Sequence, residues 1–413
     1  MSNNNGEVRE RILRIVKGFL RDNLEDYTIE ITTASKIGEN WLGLLYNITI
    51  TDRRNGKNPK LNLIIKMAPY QELYREVFPV RAVYDREIFV YDKIIPEFLN
   101  FQMEKKVPHI FQPFAKHYLT TMQHGGEALL MDNMKLKGYV TGDHKVEVDY
   151  PHALLVMKEL GKFHALSYAI KDQKPEMFKY VEENCLEVFF NSRSFRPVLK
   201  IIETLGERVL ESLDPIKENL YVETLKNCLA KAASISTDFL SVEKFGQYGV
   251  INHGDPQMRN LMFKYGDCAH PAVPTELCFI DWQLTRIASP VMDILWFIFL
   301  CTGQEFRNRH YKDLLGVYYE SLSSMLYQLG SDPRKLLPFE ILMSHLKQFA
   351  PFGLYVAIWI GAANMKESTN IQDVYNSISE DMLIDGLSVV PHGDYLPKIR
   401  GIVIDFVKYG YNF

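Results

Sequence analysis

The chain has 413 residues, 47% of them hydrophobic and 24% charged, which is the balance of an ordinary soluble globular protein. This length exceeds what one hydrophobic core usually supports, so we expect two lobes with a cleft between them. The formal net charge of −4 at pH 7 argues against nucleic acid as a partner.

The amino-terminal segment is polar and lacks the apolar stretch of a signal peptide. It leads into residues 8–20, where apolar and basic side chains fall on opposite faces of a predicted helix. Such a helix can lie on a membrane surface, but packing of its apolar face against the protein is the more common arrangement. The longest apolar run, residues 294–301, is too short to span a bilayer, so no transmembrane segment is expected. The five cysteines lack paired or metal-ligand spacing, which predicts a reducing, cytoplasmic environment.

Residues 28–37 and 41–50 are rich in β-forming residues and flank the triplet Gly38, Glu39 and Asn40. This pattern predicts a hairpin with a short turn. A glycine in the turn would let the backbone approach phosphate groups, although most turns that contain glycine have no such role.

Residues 61–65 are apolar and predict a buried strand that ends at Lys66. A buried ammonium group must find a partner or lose its charge. Downstream, apolar residues at helical spacing surround Glu87, which makes Glu87 the candidate ion-pair partner of Lys66. Taken singly, each of these two residues would more often be an ordinary surface side chain.

Helical spacing then dominates, first in residues 153–169, 197–213 and 222–233. His164 lies within the first of these predicted helices, and we expect it to be packed inside the fold rather than to bind a ligand.

The most informative stretch is residues 250–263, followed by residues 277–283. Short apolar runs predict two buried strands joined by a polar loop that contains Asp255 and, five residues on, Asn260. Such a loop can aim the Asp255 carboxylate at a substrate hydroxyl while the Asn260 oxygen faces a cation. A further strand ends in Asp281, a charged ligand for the same cation. One carboxylate, one amide oxygen, water and phosphate oxygens suit Mg²⁺, and this is the ligand set of phosphoryl transfer.

Two more polar residues beside this loop are expected to support it rather than to take part in the chemistry. His253 precedes Asp255, and its expected role is to hold the loop by hydrogen bonding. Asp293 precedes a long apolar run, and we expect it to cap a buried helix and to brace the loop.

The carboxy-terminal part predicts further helices in residues 311–329, 339–349 and 354–365. If even a few of the aromatic residues there line a pocket, the acceptor of the phosphoryl group is bulky and apolar rather than polycationic. Most of them are expected to be core: Phe297, Phe299, Phe339, Phe349, Phe352, Tyr355 and Trp359.

The His-Gly-Asp triplet at residues 253–255, Asn260 and the Asp-Trp-Gln triplet at residues 281–283 resemble the catalytic segments of the protein-kinase-like phosphotransferases. The likeness is to the small-molecule branch, which includes aminoglycoside phosphotransferases and choline kinases. The continuation through residues 289–295 is most similar to the ecdysteroid kinase-like family of insects. The resemblance implies an α+β, two-lobed protein-kinase-like fold. A small antiparallel sheet with one main helix would occupy residues 1–131, a hinge residues 132–135, and a larger, mostly helical lobe residues 136–413.

The resemblance also implies a role for each candidate residue in an ATP- and Mg²⁺-dependent kinase. Asp255 would accept the hydroxyl proton, and Asn260 and Asp281 would hold Mg²⁺. Lys66, set by Glu87, would position the phosphates. The remaining nucleotide contacts would come from the turn residues Gly38, Glu39 and Asn40 and from the segment with Asp132 and Met134, whose backbone would hold the adenine edge. The implied acceptors are ecdysteroids or other sterol-like or xenobiotic alcohols, and no protein partner is predicted.

Other classes of protein are less well supported. A protein kinase is disfavoured because only eleven residues separate Asp281 from Asp293, which leaves little room for an activation segment. A metal-dependent hydrolase could use His253, Asp255 and Asp281, but the sequence has no His-Glu-x-x-His motif. It also has no Gly-x-Ser-x-Gly motif of a serine hydrolase. A catalytically inactive ligand-binding protein and a kinase with a polar acceptor such as choline or an aminoglycoside both stay open.

Overall fold

The computed structural model describes residues 2–21, 24–34, 42–54, 60–193, 195–266, 269–365, 389–391 and 393–411, with residues 2–5 as backbone only. The predicted turn of Gly38, Glu39 and Asn40 lies outside the described residues.

A five-stranded antiparallel sheet forms in the amino-terminal region, in the spatial order β1-β2-β3-β5-β4. The described strands are β1 (Tyr27–Thr33), β2 (Leu44–Asp52), β3 (Lys60–Met67), β4 (His117–Thr121), β5 (Ala128–Asp132), β6 (Tyr139–Thr141), β7 (Val250–Asn252), β8 (Leu261–Lys264), β9 (Glu276–Phe279) and β10 (Arg286–Ala288). The predicted pairing of the first two strands is confirmed, because β1 and β2 are antiparallel neighbours and Ile31 lies opposite Ile48.

Helices make up most of the rest of the described chain. The described helices are α1 (Ser2–Leu20), α2 (Glu72–Val77), α3 (Val80–Phe89), α4 (Ile95–Glu104), α5 (Tyr150–Gln173), α6 (Pro175–Asn184), α7 (Phe195–Glu211), α8 (Asn219–Ala230), α9 (Ile235–Asp238), α10 (Val242–Phe245), α11 (Val291–Cys301), α12 (Gln304–Leu329), α13 (Pro333–Leu336), α14 (Phe339–Met365) and α15 (Tyr395–Lys408). The predicted amphipathic helix is α1, whose buried residues Ile12 and Val16 pack against the apolar face of the sheet, as expected.

Helix α3 leads directly into a π-helical turn (Val90–Ile94) and then into α4. The Ile95 N–H bonds to the Val90 carbonyl, five residues back. The next residue, Pro96, has no N–H group to continue the α-helical pattern, which accounts for a change of helical geometry at this point. The wider turn therefore follows the part of α3 that carries Glu87.

The remaining strands form two small sheets in the helical region, β6-β8-β9 and β10-β7. An isolated bridge pairs Phe114, which precedes β4, with Phe279 of β9. Helix α12 packs along α5, and α11, which is buried along its whole length, packs against α14. These four helices therefore form the core of the helical region, which also contains the short strands β7, β8 and β9.

Residues 339–365 form one continuous helix, so the prediction of two separate helices there is wrong. Pro351 lies within α14 and removes one backbone hydrogen bond. Residues 349–358 are all buried, so tertiary packing holds the helix together across the proline. Within the described residues, the segment Pro333–Met365 is long and apolar enough to cross a membrane, but most of its apolar part is buried inside the protein. A helix buried in the core of a protein can be equally long and apolar.

The antiparallel sheet followed by a mostly helical region confirms the predicted α+β class and two-part architecture. β5 ends at Asp132, and a 3₁₀ turn (Met134–Lys137) follows it. The assignment of residues 132–135 as a hinge between lobes stays a prediction.

Candidate active site

Three parts of the chain converge at the end of β3. The Lys66 Nζ atom lies 2.6 Å from Oε2 of Glu87 on α3 and 2.8 Å from Oδ1 of Asp281, which follows β9. Lys66 is 6% exposed and Glu87 is 1% exposed, so the ion pair is shielded from water. The predicted pairing of Lys66 with Glu87 is therefore present, and Asp281 joins it from a position 215 residues away in the sequence.

Burial and charge act in opposite directions on this cluster. Burial by itself would lower the pKa of Lys66, but the carboxylates of Asp281 and Glu87 outweigh it and raise the pKa, so the ammonium stays charged. Burial raises the pKa of Glu87 to about 7, which on its own would favour a neutral acid. We assign the charged pair, because the ammonium is in direct contact with Glu87 and the backbone N–H of Trp282 also donates to that carboxylate. A cluster of one cation and two anions would also accommodate a further positive charge.

Asp281 occupies a conformation that few non-glycine residues adopt, with a φ angle of +67°. The next residue, Trp282, is fully buried and packs against the rings of His253, Phe163 and Phe114. The packing of Trp282 holds the neighbouring Asp281 in this strained backbone conformation. As a result the Asp281 side chain, 32% exposed, points back to Lys66 and the cleft.

The loop after β7 makes a sharp turn at Gly254, whose φ angle is +92°. A Cβ atom at this position would collide with the Leu284 carbonyl, so only glycine fits. Asp293 braces the turn from below, because its Oδ2 accepts the His253 N–H at 2.6 Å and its Oδ1 accepts the Gly254 N–H at 2.9 Å. The His164 ring lies 3.2 Å from the same carboxylate. Burial alone would raise the pKa of Asp293, but hydrogen bonds from His164 and Gly254 outweigh it and lower the pKa.

Asp293 therefore supports the loop, but it does not cap the helix as expected. Helix α11 has Pro290 at its N-cap, and Asp293 lies in the first turn with its carboxylate directed at the loop. His164 was expected to be packed structure, and it is fully buried and also contacts Tyr318 at 2.8 Å. Its contact with Asp293 extends this support to α5.

His253 is held by hydrogen bonds at both ring nitrogens. Nε2 lies 3.1 Å from the Ile280 carbonyl, and Nδ1 accepts the Asp255 N–H at 3.3 Å. Burial lowers the pKa of His253, which favours the neutral ring. With one nitrogen donating and the other accepting, the ring has no free nitrogen for a metal or for proton transfer. This arrangement disfavours the metal-dependent hydrolase considered above.

Asp255 is half-buried, and its carboxylate is surrounded by amides rather than by cations. Gln257 Nε2 donates to both carboxylate oxygens, at 2.9 and 3.0 Å, and Asn260 Nδ2 donates to Oδ2 at 2.8 Å. Burial raises the pKa of Asp255 to about 8, although the bonds from Gln257 and Asn260 oppose that rise. A carboxylate with this pKa is a stronger base than an exposed aspartate.

The arrangement of Asn260 and Asp281 fits a magnesium ion. Asn260 uses its Nδ2 for Asp255, which leaves its side-chain oxygen, and Asn260 lines the same cavity as Asp281. Asp281 uses Oδ1 for Lys66, which leaves Oδ2. The Ile280 N–H donates to the Asn260 carbonyl at 3.0 Å and so ties the two ligand-bearing segments together. An amide oxygen and a carboxylate oxygen are donors that Mg²⁺ accepts, with water and phosphate completing its shell.

A cavity of about 370 Å³ opens beside these residues. Lys66, Asn260 and Asp281 line one part of it, and the segment Asp132, Asn133, Met134 and Lys135 lines another, together with the apolar residues Ile64, Met131 and Met262. A larger cavity of about 620 Å³ between α5 and α12 shares none of these residues.

The two predicted hinge contacts, Asp132 and Met134, thus line the same cavity as Lys66. The Asp132 carboxylate accepts hydrogen bonds from Tyr118 at 2.8 Å and from Lys137. Asn133, which the sequence did not single out, donates to Asn47 of β2 at 2.9 Å and so fastens this segment to the sheet.

Several residues that contribute to the site were missed in the sequence. Arg86 is adjacent to Glu87, and its buried guanidinium donates to the carbonyls of Thr285 and Leu186, which tethers α3 to the loops of the helical region. Its position inside an apolar helix face was a signal that could have identified it. Gln257 lies in the predicted loop and could have been included.

Arg286 was also missed as a support of the loop. Its guanidinium lies between the rings of Phe190 and Phe352, at 5.2 and 5.7 Å, and donates to the Leu284 carbonyl at 2.9 Å. It is 3.6 Å from the carboxylate of Glu187. A buried positive charge thus lies behind Gly254 and opposes the rise in the pKa of Asp255.

Most of the carboxy-terminal aromatic residues are core, as expected, because the described side chains of Phe297, Phe299, Phe349, Phe352 and Tyr355 are buried. Two differ: Phe339 is exposed, and Trp359 is half-buried and stacks on Phe189 with ring centroids 5.4 Å apart. Asn364, on the last turn of the same helix, donates to Gln257 at 3.2 Å. The end of α14 therefore reaches the catalytic loop.

The model of the ecdysteroid kinase-like family matches residues 37–331, whereas no curated protein sequence matches. A solved structure of an aminoglycoside 2'-phosphotransferase IIIa mutant in complex with GDP aligns with 96% of this chain and 97% of its own, at 12% identity and a TM-score of 0.42. Because the family match spans more than half of its residues, this chain belongs to the ecdysteroid kinase-like family of small-molecule, kinase-like phosphotransferases.

Proposed function

We propose that this protein is an ATP- and Mg²⁺-dependent kinase that phosphorylates a hydroxyl of a bulky apolar alcohol, such as an ecdysteroid, a sterol-like compound or a xenobiotic. The observation that carries the proposal is the convergence of Lys66, Glu87 and Asp281 at one cavity with the loop of Asp255 and Asn260. Each residue has the chemistry that phosphoryl transfer requires, and each is oriented by a second group.

The nucleotide would lie in the cavity with its base near Asp132 and Met134 and its phosphates near Lys66. The Lys66 ammonium, kept in place by Glu87, would contact the α- and β-phosphates. Asn260 and Asp281 would hold Mg²⁺, which supplies neutralisation of phosphate charge when bound. Residues Gly38, Glu39 and Asn40 are proposed to cover the phosphates, in line with the family resemblance.

Asp255 is proposed as the group that orients the acceptor hydroxyl and takes its proton. A new bond forms between the hydroxyl oxygen and the γ-phosphorus, the bond from phosphorus to the leaving oxygen of ADP breaks, and the hydroxyl proton passes to Asp255. Burial raises the pKa of Asp255 to about 8, so near neutral pH the ionised fraction of Asp255 takes the proton, and that form is a stronger base than an exposed aspartate. His253 and Asp293 fix the loop, so most of the rate enhancement would come from positioning and charge neutralisation.

The apolar nature of the acceptor is supported by the end of α14. Trp359, Ile360 and Ala363 are half-buried there, next to Asn364, after a run of fully buried residues. We propose that Trp359, Ile360 and Ala363 form an apolar wall of the acceptor site, which would favour a ring system over a polycation such as an aminoglycoside.

We also propose a cytoplasmic location, with a small molecule rather than nucleic acid or protein as the partner. Four cysteines, Cys185, Cys228, Cys278 and Cys301, are free and buried in the described part of the chain, which supports a reducing environment.

The test is ATP consumption with Mg²⁺ against a panel of ecdysteroids, plant sterols, glycosides, choline and aminoglycosides. We expect an apolar alcohol to stimulate turnover and Asp255→Asn to reduce it by about 10²-fold or more. Asp85→Asn is the matched control, because it removes the same charge from an exposed position on α3. Stimulation by choline or aminoglycosides alone would replace the apolar acceptor with a polar one. Binding of an apolar ligand without any binding of ATP and Mg²⁺ would replace the kinase with a ligand-binding protein.

A further inference from the structure

The hydrogen bonds around Asp255 leave one defined position for a substrate hydroxyl. A carboxylate offers about four lone-pair positions, two on each oxygen. Among the residues that the structure describes, Oδ2 accepts from both Gln257 and Asn260, whereas Oδ1 accepts only from Gln257. The open position is therefore on Oδ1.

This arrangement depends on which end of the Gln257 amide faces Asp255. The amide has a donating nitrogen and an accepting oxygen, and only the nitrogen can bond to a carboxylate. Gln257 is 8% exposed, so water does not freely compete for either end. The Gln257 oxygen, which points away from Asp255, therefore needs a hydrogen-bond donor from the protein.

That group is Asn364. Its Nδ2 donates to Gln257 Oε1 at 3.2 Å, across 107 residues of sequence. If the Gln257 amide were reversed, two N–H groups would face each other at α14 and two oxygens would face each other at Asp255. Both contacts would be repulsive, so Asn364 adds to the preference of the Asp255 carboxylate for the orientation in which Gln257 donates to it.

We propose that Asn364 is a positioning residue for phosphoryl transfer, which acts through Gln257 to keep one lone pair of Asp255 Oδ1 open to the acceptor hydroxyl. The inference rests on the proposed function, because it assigns Asp255 to the hydroxyl. It also places the residue that orients the base on the same helix end as the half-buried Trp359, Ile360 and Ala363. The proposed acceptor wall and the geometry of the base are then parts of one element.

Two substitutions at Asn364 separate orientation from simple loss of contact. Asn364→Asp replaces the donor with an acceptor of nearly the same shape, so Gln257 should turn its N–H to it and present its oxygen to Asp255. Asn364→Leu removes the hydrogen bond without offering a new acceptor. We expect kcat to fall by about 10²-fold in Asn364→Asp and about 10-fold in Asn364→Leu, with KM for ATP changed by less than about twofold.

Asn308→Asp is the matched control. Asn308 is exposed on α12 and accepts a hydrogen bond from Lys408, which an aspartate would accept equally well. The substitution adds the same charge as Asn364→Asp, and we expect unchanged kcat. Unfolding curves of all variants verify that each one is folded.

A double-mutant cycle tests whether Asn364 acts through Gln257. Once Gln257→Leu is present, adding Asn364→Leu should change kcat by less than about twofold, because the intermediary is gone. Independent, multiplicative effects of the two substitutions would overturn the inference. So would wild-type kcat in both Asn364 variants.

A readout without turnover separates this inference from the proposed function. The side-chain amide signal of Gln257 in ¹⁵N-labelled protein, identified by its loss in Gln257→Leu, should shift in Asn364→Asp and stay in place in Asn308→Asp. If no acceptor on the panel is phosphorylated but this shift occurs, the proposed function fails while the orienting contact stands. If the amide signal does not move, the inference fails whatever the activity.

Discussion

The nucleotide side and the acceptor side of the proposed site are built from different interactions. On the nucleotide side, the charged groups of Lys66, Glu87 and Asp281 meet at 2.6 and 2.8 Å. On the acceptor side, Asp255 is held by neutral amides, one of them from Gln257. Burial raises the pKa of Asp255 to about 8, because the two amides and the more distant Arg286 do not outweigh it, whereas a cation in direct contact would lower that pKa further. We infer that the charged groups bind phosphate, whereas the neutral amides orient the carboxylate that accepts the proton.

The largest expected effect compares one aspartate from each side. Asp281→Asn and Asp255→Asn should each lower kcat by about 10²- to 10³-fold, because one removes charge from the proposed metal site and the other removes the base. Titration with Mg²⁺ distinguishes them, since only Asp281→Asn should raise the Mg²⁺ concentration needed for half-maximal rate. The same Mg²⁺ requirement in both variants would contradict the division of roles.

The next effect concerns the buried ion pair. Lys66→Met leaves the carboxylates of Glu87 and Asp281 without their cation, so we expect KM for ATP to rise by about 10-fold or more. Unfolding by denaturant should show a loss of about 3 kcal/mol, the typical cost of removing one partner of a buried pair.

The matched comparison is the double variant Lys66→Met with Glu87→Leu, which removes both partners. It should recover part of the free energy of unfolding but none of the affinity for ATP. If the double variant bound ATP like the wild type, Lys66 would be a structural residue only.

A smaller effect is expected from the apolar wall. Trp359→Ala should raise KM for an apolar acceptor by about 10-fold, the loss of one large apolar contact, and leave KM for ATP unchanged. Phe339→Ala is the control, because Phe339 is an exposed aromatic residue at the other end of the same helix. Equal effects of the two substitutions on the acceptor would show that Trp359 does not line its site.

The smallest effect is a pH dependence of stability, measured by denaturant unfolding in metal-free buffer. Burial raises the pKa of Asp255 to about 8, above the value of about 3.9 for an unfolded aspartate. Between these values the native state keeps a proton that the unfolded chain releases, so the contribution of this group to the free energy of unfolding falls as the pH rises toward about 8. Asp255→Asn lacks the titrating group. The stability of this variant relative to the wild type should therefore increase from about pH 5 to about pH 8, and a constant difference would contradict the raised pKa.

The polar residues of the site were predictable where they interrupt apolar runs. Lys66 ends the apolar run of β3, and Asp281 follows that of β9, so their placement at strand ends could be inferred from local pattern. Asp255 and Asn260 lie in one short loop, whose spacing already implied that both face the same substrate.

Other contacts could not be inferred from local pattern. Asn364 and Gln257 are 107 residues apart, and nothing in the spacing of either residue points to the other. The continuity of α14 across Pro351 was missed because local propensity argues for a break, whereas burial on every side overrides it. Trp359 could not be told from its buried neighbours, since apolar composition does not show which residue stays half-buried.

The sequence by itself determined the residue types that meet phosphate and hydroxyl, and the strands that carry them, because alternation of apolar and polar residues is a local property of the chain. Only the tertiary structure decided that Asp281 joins Glu87 as the second carboxylate in contact with Lys66. It also decided which end of the Gln257 amide faces Asp255 and which aromatic side chain remains accessible. These outcomes depend on the packing of segments that are distant in sequence, where the burial of one group sets the charge and the hydrogen bonds of the next.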